Sequence, residues 1–172
     1  MARSNTETAK LISDGFNSSS KDWEIDRYQY SNQGEPSPGT RHVQAVIARL
    51  SSAVGGDDEV LHAIAGVKTN SDGGHGEEFE VAVFTKAALF HSRFGLDDKK
   101  VEVEVIPRAT ITALRVTDSG PYTQEENPAR LKFTAVYDNG LSVSFPLKNN
   151  TWSEMDWLSD VYSGLKSDLL TN

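Results

Sequence analysis

Strict apolar–polar alternation on either side of one turn is the clearest pattern in the chain. Leu131, Phe133, Ala135 and Tyr137 alternate with Lys132, Thr134, Val136 and Asp138, and beyond Asn139-Gly140 the set Leu141, Val143, Phe145 and Leu147 alternates with Ser142, Ser144 and Pro146. A period of two places one set on a dry face and the other in water, so both arms are strands. Asn139-Gly140 suits a two-residue type I′ turn, because both central residues there need positive φ. Thr151 and Glu154 then have the spacing of a capping box, which starts a helix by pairing two of its unsatisfied N–H groups. Trp152, Met155, Leu158, Tyr162, Leu165 and Leu169 recur by threes and fours in that helix, with acidic and Ser residues filling most of the other side. Such a stripe covers the preceding strands. A helix lying on an anionic membrane would instead carry Lys and Arg on its polar face.

Upstream, Thr40 to Val54 reads as a helix with Val43, Val46, Ile47, Leu50 and Val54 on one side and Gly55-Gly56 as its stop. From Asp57 onward the chain is β-rich. A strand over residues 59–69 is followed by a Gly-rich loop, a second strand with Phe79, Val81 and Val83 alternating, and a third over 88–94 that buries Phe90 and Phe94. Val101, Val103 and Val105 alternate with Glu102 and Glu104, which predicts a strand with one dry and one wet face. Pro107 has no N–H to give a ladder and ends that strand. In the next, residues 109–117, the inward set slips between Ile111 and Leu114, as a bulge would make it do. Short connections make all seven strands antiparallel neighbours.

Residues 1–39 are rich in Ser, Asn, Asp and Glu and end in Gly34-Glu35-Pro36-Ser37-Pro38-Gly39, the composition of a polar arm and linker. Leu11, Ile12 and Phe16 nevertheless share one face of a helical turn or two, and Trp23, Ile25, Tyr28 and Tyr30 follow closely. A solvated tail carries few aromatics. These side chains either dock on the protein's own core or anchor a partner, since large aromatics concentrate interface energy. Phe16, Trp23, Ile25, Tyr28 and Tyr30 are therefore the candidate partner-binding residues. The organisation is an arm over 1–39, a helix over 40–56 and a β-rich domain over 57–172.

Composition narrows the picture. With 172 residues and 37% apolar content the chain can fill a single core. It has no Cys, hence no disulfide framework and no thiol-based zinc site or nucleophile. Its opening residues lead into no apolar segment of signal-peptide length, and a soluble, cytoplasmic protein is expected. The net charge of −8, from 17 basic and 25 acidic residues, opposes attraction to nucleic acid or an anionic bilayer. Arg93, Lys99, Lys100 and Arg108 are the nearest approach to a basic patch, but Asp97 and Asp98 lie among them, and the stretch reads as a solvated hairpin.

Catalytic signatures are missing: there is no Gly-x-Ser-x-Gly elbow, His-Glu-x-x-His pair, phosphate loop or dinucleotide fingerprint. His42, His62, His75 and His91 are scattered over a helix, two strands and a loop. Asp57-Asp58-Glu59 and Asp72, His75 and Glu77 lack the further ligands of a supported metal site. No catalysis, metal or cofactor is expected.

Seven short strands followed by a helix resemble the pleckstrin-homology-like (PH-like) superfold, and in particular its bacterial members. The likeness is carried by Val81-Ala82-Val83-Phe84-Thr85-Lys86-Ala87-Ala88-Leu89-Phe90, by Ile106-Pro107-Arg108-Ala109-Thr110-Ile111 and by Asp138-Asn139-Gly140, and it covers about 57–170. It implies a mostly β, α+β fold in which two orthogonally packed sheets form a seven-stranded, partly open antiparallel barrel. The C-terminal helix would plug one end, with Trp152 or Trp157 facing inward. Phosphoinositide-binding members carry several Lys and Arg around the first hairpin to clamp phosphates. This chain has Lys68 there beside Asp72, Glu77 and Glu78, which argues against that ligand. Other members are adaptors that take a peptide along a sheet edge or beside the helix. Because fold does not fix function, the resemblance gives an expectation only: a non-catalytic protein-interaction or assembly module, with a protein partner or a second copy exchanging arms. A small ligand or lipid held inside the barrel is the alternative.

Overall fold

The computed structural model describes residues 3–19, 38–68, 78–95, 98, 100–119, 131–147 and 156–171. Three helices, α1 (Asn5–Ser19), α2 (Pro38–Val54) and α3 (Asp156–Thr171), accompany seven strands among these residues. The strands are β1 (His62–Lys68), β2 (Glu78–Phe84), β3 (Ala88–Gly95), β4 (Glu104–Pro107), β5 (Ile111–Asp118), β6 (Lys132–Tyr137) and β7 (Ser142–Phe145), with a 3-10 turn at Arg108–Thr110. All pairings are antiparallel. They make a four-stranded sheet in the order β1-β2-β3-β4 and a three-stranded sheet in the order β5-β6-β7. The fold is α+β with two antiparallel sheets; among the described residues the strands do not close into one barrel.

The four-stranded sheet is buried on both faces. Ala63, Ala65, Val67, Phe79, Val81, Val83, Phe90 and Phe94 meet α1 and α2, where Ile12, Phe16, Val43, Val46 and Leu50 are sealed from water. The alternate set, Ile64, Ala82, Phe84, Leu89 and Ile106, meets Phe133, Tyr137, Phe145 and, from α3, Leu158, Val161 and Leu165. Two cores thus share one sheet. The period-two pattern that selects Phe79, Val81 and Val83 hides a second buried set, because nearly every residue of β2 is dry. In β6 the alternation is clean, since only one of its faces meets a core.

α3 lies along β5 and uses the face its spacing predicts, with Trp157, Tyr162 and Leu169 partly buried at the margin of that core. Thr151, Glu154 and Trp152 lie outside the described residues. At the end of α2, Gly55 adopts φ 72°, the left-handed conformation that closes a helix with least strain in Gly. The bulge expected between Ile111 and Leu114 is present as a register shift between Ile111 and Ala113.

Three expectations are corrected. The segment read as a polar arm begins with α1, an integral helix. Its first turn is closed by a Ser4–Glu7 capping box, the Ser4 N–H donating to Glu7 Oε2 at 2.8 Å. The closing turn has three loop residues and not two: the Gly140 N–H donates to Tyr137 O at 3.0 Å and Gly140 alone takes positive φ (82°). This is a type I turn ending in a left-handed glycine, and the Leu141 N–H satisfies the Asn139 side chain at 2.9 Å. The fourth strand is shorter and shifted: β4 starts at Glu104, and Val105, placed on its dry face by the alternation, is 55% exposed. Val101 and Val103 still reach the helix-side core from outside the strand.

Candidate functional site

Of the residues proposed as partner anchors, Trp23, Ile25, Tyr28 and Tyr30 lie outside the described residues. Phe16 is withdrawn from that list, because its ring is fully buried in the protein's own core. α1 presents Thr8, Ile12, Phe16 and Ser19 to the sheet, positions four, four and three apart. Its seat against β1 is close. A Cβ on Gly15 would come within 2.7 Å of Ala63 Cβ and 2.9 Å of Ala63 O, so only glycine permits this approach. Four residues on, the Ala65 N–H donates to Ser19 Oγ at 2.9 Å, and the Ser19 hydroxyl donates to Phe16 O at 3.1 Å. An edge amide of β1 is therefore satisfied by a helix side chain.

β5 is one edge of the other sheet, β7 being the second; among the described residues β5 has no such cover and pairs with β6 alone. From Arg115 to Asp118 its side chains are exposed, and Val116 is 48% exposed. Thr112 and Thr117 donate to Val136 O and Lys132 O of β6, and α3 packs along β5.

A polar array occupies the end of the four-stranded sheet where the second core stops. Glu80 stands opposite Gly66 on β1 and Arg93 on β3. Glu80 and His91 are buried, and His91 Nε2 lies 3.0 Å from Glu80 Oε1. Arg93 Nε donates to the same oxygen at 2.7 Å, and His91 Nδ1 lies 3.5 Å from Glu104 Oε2. Burial alone would push the Glu80 carboxyl up, but its bonds from His91 and Arg93 outweigh that and hold it below the usual carboxylate range. Glu80 therefore stays ionised. A cleft of about 320 Å³ opens beside it, lined by Gly66, Glu78, Phe79, Arg93, Phe94 and Asp98 among others.

A second buried ionic group ties α3 to the sheet. Arg108, counted in the sequence as part of a solvated hairpin, is nearly buried: its Nε donates to Asp168 Oδ2 at 2.7 Å and its NH1 to Thr85 O at 2.8 Å. The Tyr137 hydroxyl has no partner among the described residues, and burial drives its ionisation well above the usual phenol range. Burial also lowers His62, offset in part by Asp160. No group of three or more His, Asp or Glu side chains is placed to share a cation among the described residues, and no helix among them is long and apolar enough to cross a membrane.

Sequence reasoning missed both ionic groups. Glu78, Glu80, His91 and Arg93 are ordinary polar positions in a strand pattern until the register aligns them, and register is a property of pairs of strands. The capping box Ser4-Asn5-Thr6-Glu7 was the available signal for α1. No family model matches the sequence, and no curated protein matches it. Among solved structures the chain is similar to the hSac2 domain from human phosphoinositide phosphatase Sac2, at TM-score 0.42 and 10% identity, with 83% of this chain and 85% of that chain covered.

Proposed function

We propose that this chain is a non-catalytic protein-interaction module on a PH-like scaffold, and that an extended segment of a protein partner, or of a second copy, adds to the edge of β5 beside α3 that pairs with no strand among the described residues. The observation that carries this reading is the contrast between two sheet edges: an amide on the β1 edge is satisfied by α1, whereas β5 pairs with β6 alone among the described residues and exposes Val116. Main-chain hydrogen bonds supply affinity in strand addition, and alternate side chains supply specificity. The bulge and the charges of Arg115 and Asp118 keep such an edge from indiscriminate aggregation.

The rival reading, a lipid or small ligand between the sheets, has less to support it. That space is filled by Phe84, Phe133, Phe145, Tyr137, Leu158 and Leu165, with the rings of Phe84 and Phe133 each packed on Phe145.

The test uses the full chain as bait for capture from cell extract, followed by sedimentation of the purified chain to detect self-association. A protein or second copy held by the unmodified chain and released by Val116→Lys supports the proposal. Retention of every partner by the folded Val116→Lys variant defeats it. The captured protein, once identified, is then mapped by cross-linking to β5.

A further inference from the structure

Two outer strands of this chain carry complementary patterns. β4 ends the four-stranded sheet and pairs with β3 alone among the described residues. The stretch leading into it is held against β3 and α2, because Ser92 Oγ donates to Glu102 O at 2.6 Å and the Arg49 guanidinium donates to Val101 O at 2.8 Å. Val103, Glu104 and Val105 then alternate: the β3–β4 register sets Val105 opposite Phe90 on one face and Glu104 opposite His91 on the other. Val103 is partly buried, Val105 is 55% exposed and the Glu104 side chain is 59% exposed.

On β5 the same rhythm carries the opposite charge. Leu114 and Val116 stand opposite Ala135 and Phe133 on one face, and Arg115 stands opposite Thr134 on the other. Arg115 is exposed and has no ion pair among the described residues. Its neighbour Thr134 is bonded to Ser144 Oγ at 2.9 Å, and Asp118 lies 3.5 Å from Lys132 Nζ. A strand added to β5 is in position to supply the acid that β6 does not.

The pattern of that strand follows from the pleat. Opposed residues of paired strands share a face, so the complement of Leu114-Arg115-Val116 is apolar, acidic, apolar. Val103-Glu104-Val105 is such a sequence. In an antiparallel pairing Glu104 opposes Arg115, Val105 opposes Leu114 and Val103 opposes Val116. Pairing of this edge with another copy of itself is disfavoured, because both polar positions of 101–105 are Glu and any register that matches the faces sets carboxylate against carboxylate.

We propose that the segment added to β5 is the β4 edge of a second copy, so that the chain assembles through two unlike edges with Glu104 and Arg115 as the central ion pair. The proposal rests on the reading of β5 as an edge that accepts a strand, and it narrows that reading to one occupant. A contact between two different surfaces is heterologous: copies join head to tail, into a ring where the rotation closes and into a filament where it does not.

The experiment is sedimentation velocity of the full chain over a range of concentrations, for the unmodified protein, for Glu104→Arg, for Arg115→Glu and for an equimolar mixture of the two variants. The unmodified chain should associate as concentration rises. Each charge reversal should weaken association at least about tenfold, since it removes an attractive contact and adds a repulsive one. The mixture should recover association, because every contact joins opposite charges again when the two variants alternate. Glu104 Oε2 lies 3.5 Å from His91 Nδ1 and its reversal can disturb the sheet, so Val105→Lys is the second probe of that edge and should dissociate the chain as well. A chain that stays monomeric up to about 1 mM, where even weak specific contacts register, overturns the proposal. Charge reversals that associate as the unmodified chain does overturn it too, as does a mixture of folded variants that stays dissociated. A monomeric chain that still loses a captured protein through Val116→Lys would remove the second copy and leave strand addition to β5 standing, so the two readings fail separately.

Discussion

β1 and β5 are both outer strands, and they differ in what lies along them. β1 is met by α1, which approaches so closely that Gly15 has no room for a side chain and whose last residue, Ser19, accepts from the Ala65 amide. β5 is paired on one side, bulged, and exposed over its second half. Residues already present in this chain can cover an edge, so an edge with no such cover among the described residues is informative. The contrast also changes what may be removed: a version of the chain starting at Thr40 would strip Ile12 and Phe16 from the helix-side core and expose β1, and so would test folding before it tested partner binding.

The comparison breaks most decisively at Phe16. Phe16→Ala should cost about 3–5 kcal/mol, the usual loss for a buried aromatic with the cavity it leaves, measured by urea unfolding. A loss below about 1 kcal/mol, within the range of surface changes, would mean that α1 is not part of the core. Ser19→Ala should cost about 1–3 kcal/mol because it removes a hydroxyl that accepts from the buried Ala65 amide, and hydrogen exchange at Ala65 should accelerate first. If Ala65 exchanges as slowly as before, the helix does not guard that edge.

Gly15→Ala is a test of sign. Alanine in a helix interior gains about 1 kcal/mol over glycine, but overpacking against Ala63 costs about 1–3 kcal/mol. A net loss of up to about 2 kcal/mol is expected, read as a fall in Tm, and a rise would contradict the close seat of α1. At the open edge the stability effect is the smallest: Val116→Lys should change unfolding free energy by no more than about 0.5 kcal/mol, as surface changes do. It should nevertheless release the partner. A stability effect as large as that of Ser19→Ala would show that β5 is covered after all.

Local pattern carried much of this fold. The alternation about Asp138-Asn139-Gly140, the apolar face of α2, the Gly55 stop and the slip after Ile111 are each written within a few residues, and each is realised. What depends on pairing across the chain was not legible. Val81 and Ala82 are both fully buried because the sheet has a core on each side, and nothing local to β2 distinguishes that from a single dry face. α1 escaped because two of the four positions it buries are Thr8 and Ser19, polar residues whose hydroxyls bond to backbone groups elsewhere in the structure. The cleft was illegible for the same reason: Glu80 and Arg93 become neighbours only through the β2–β3 register. Of the residues singled out there, Trp23, Ile25, Tyr28 and Tyr30 lie outside the described residues, and Phe16 points inward.

α1 and α3 close opposite faces of one sheet, and all seven strands separate them in sequence. During synthesis the two faces therefore mature at different times. α1 and α2 leave the ribosome before the strands they cover, so the helix-side face can seal once Pro107 has emerged. Ile64, Ala82, Phe84, Leu89 and Ile106 must wait for β5, β6, β7 and then Leu158 to Leu165. Until those residues clear the exit tunnel the nascent chain carries a half-finished apolar sheet, the kind of surface that chaperones capture and neighbouring chains aggregate on.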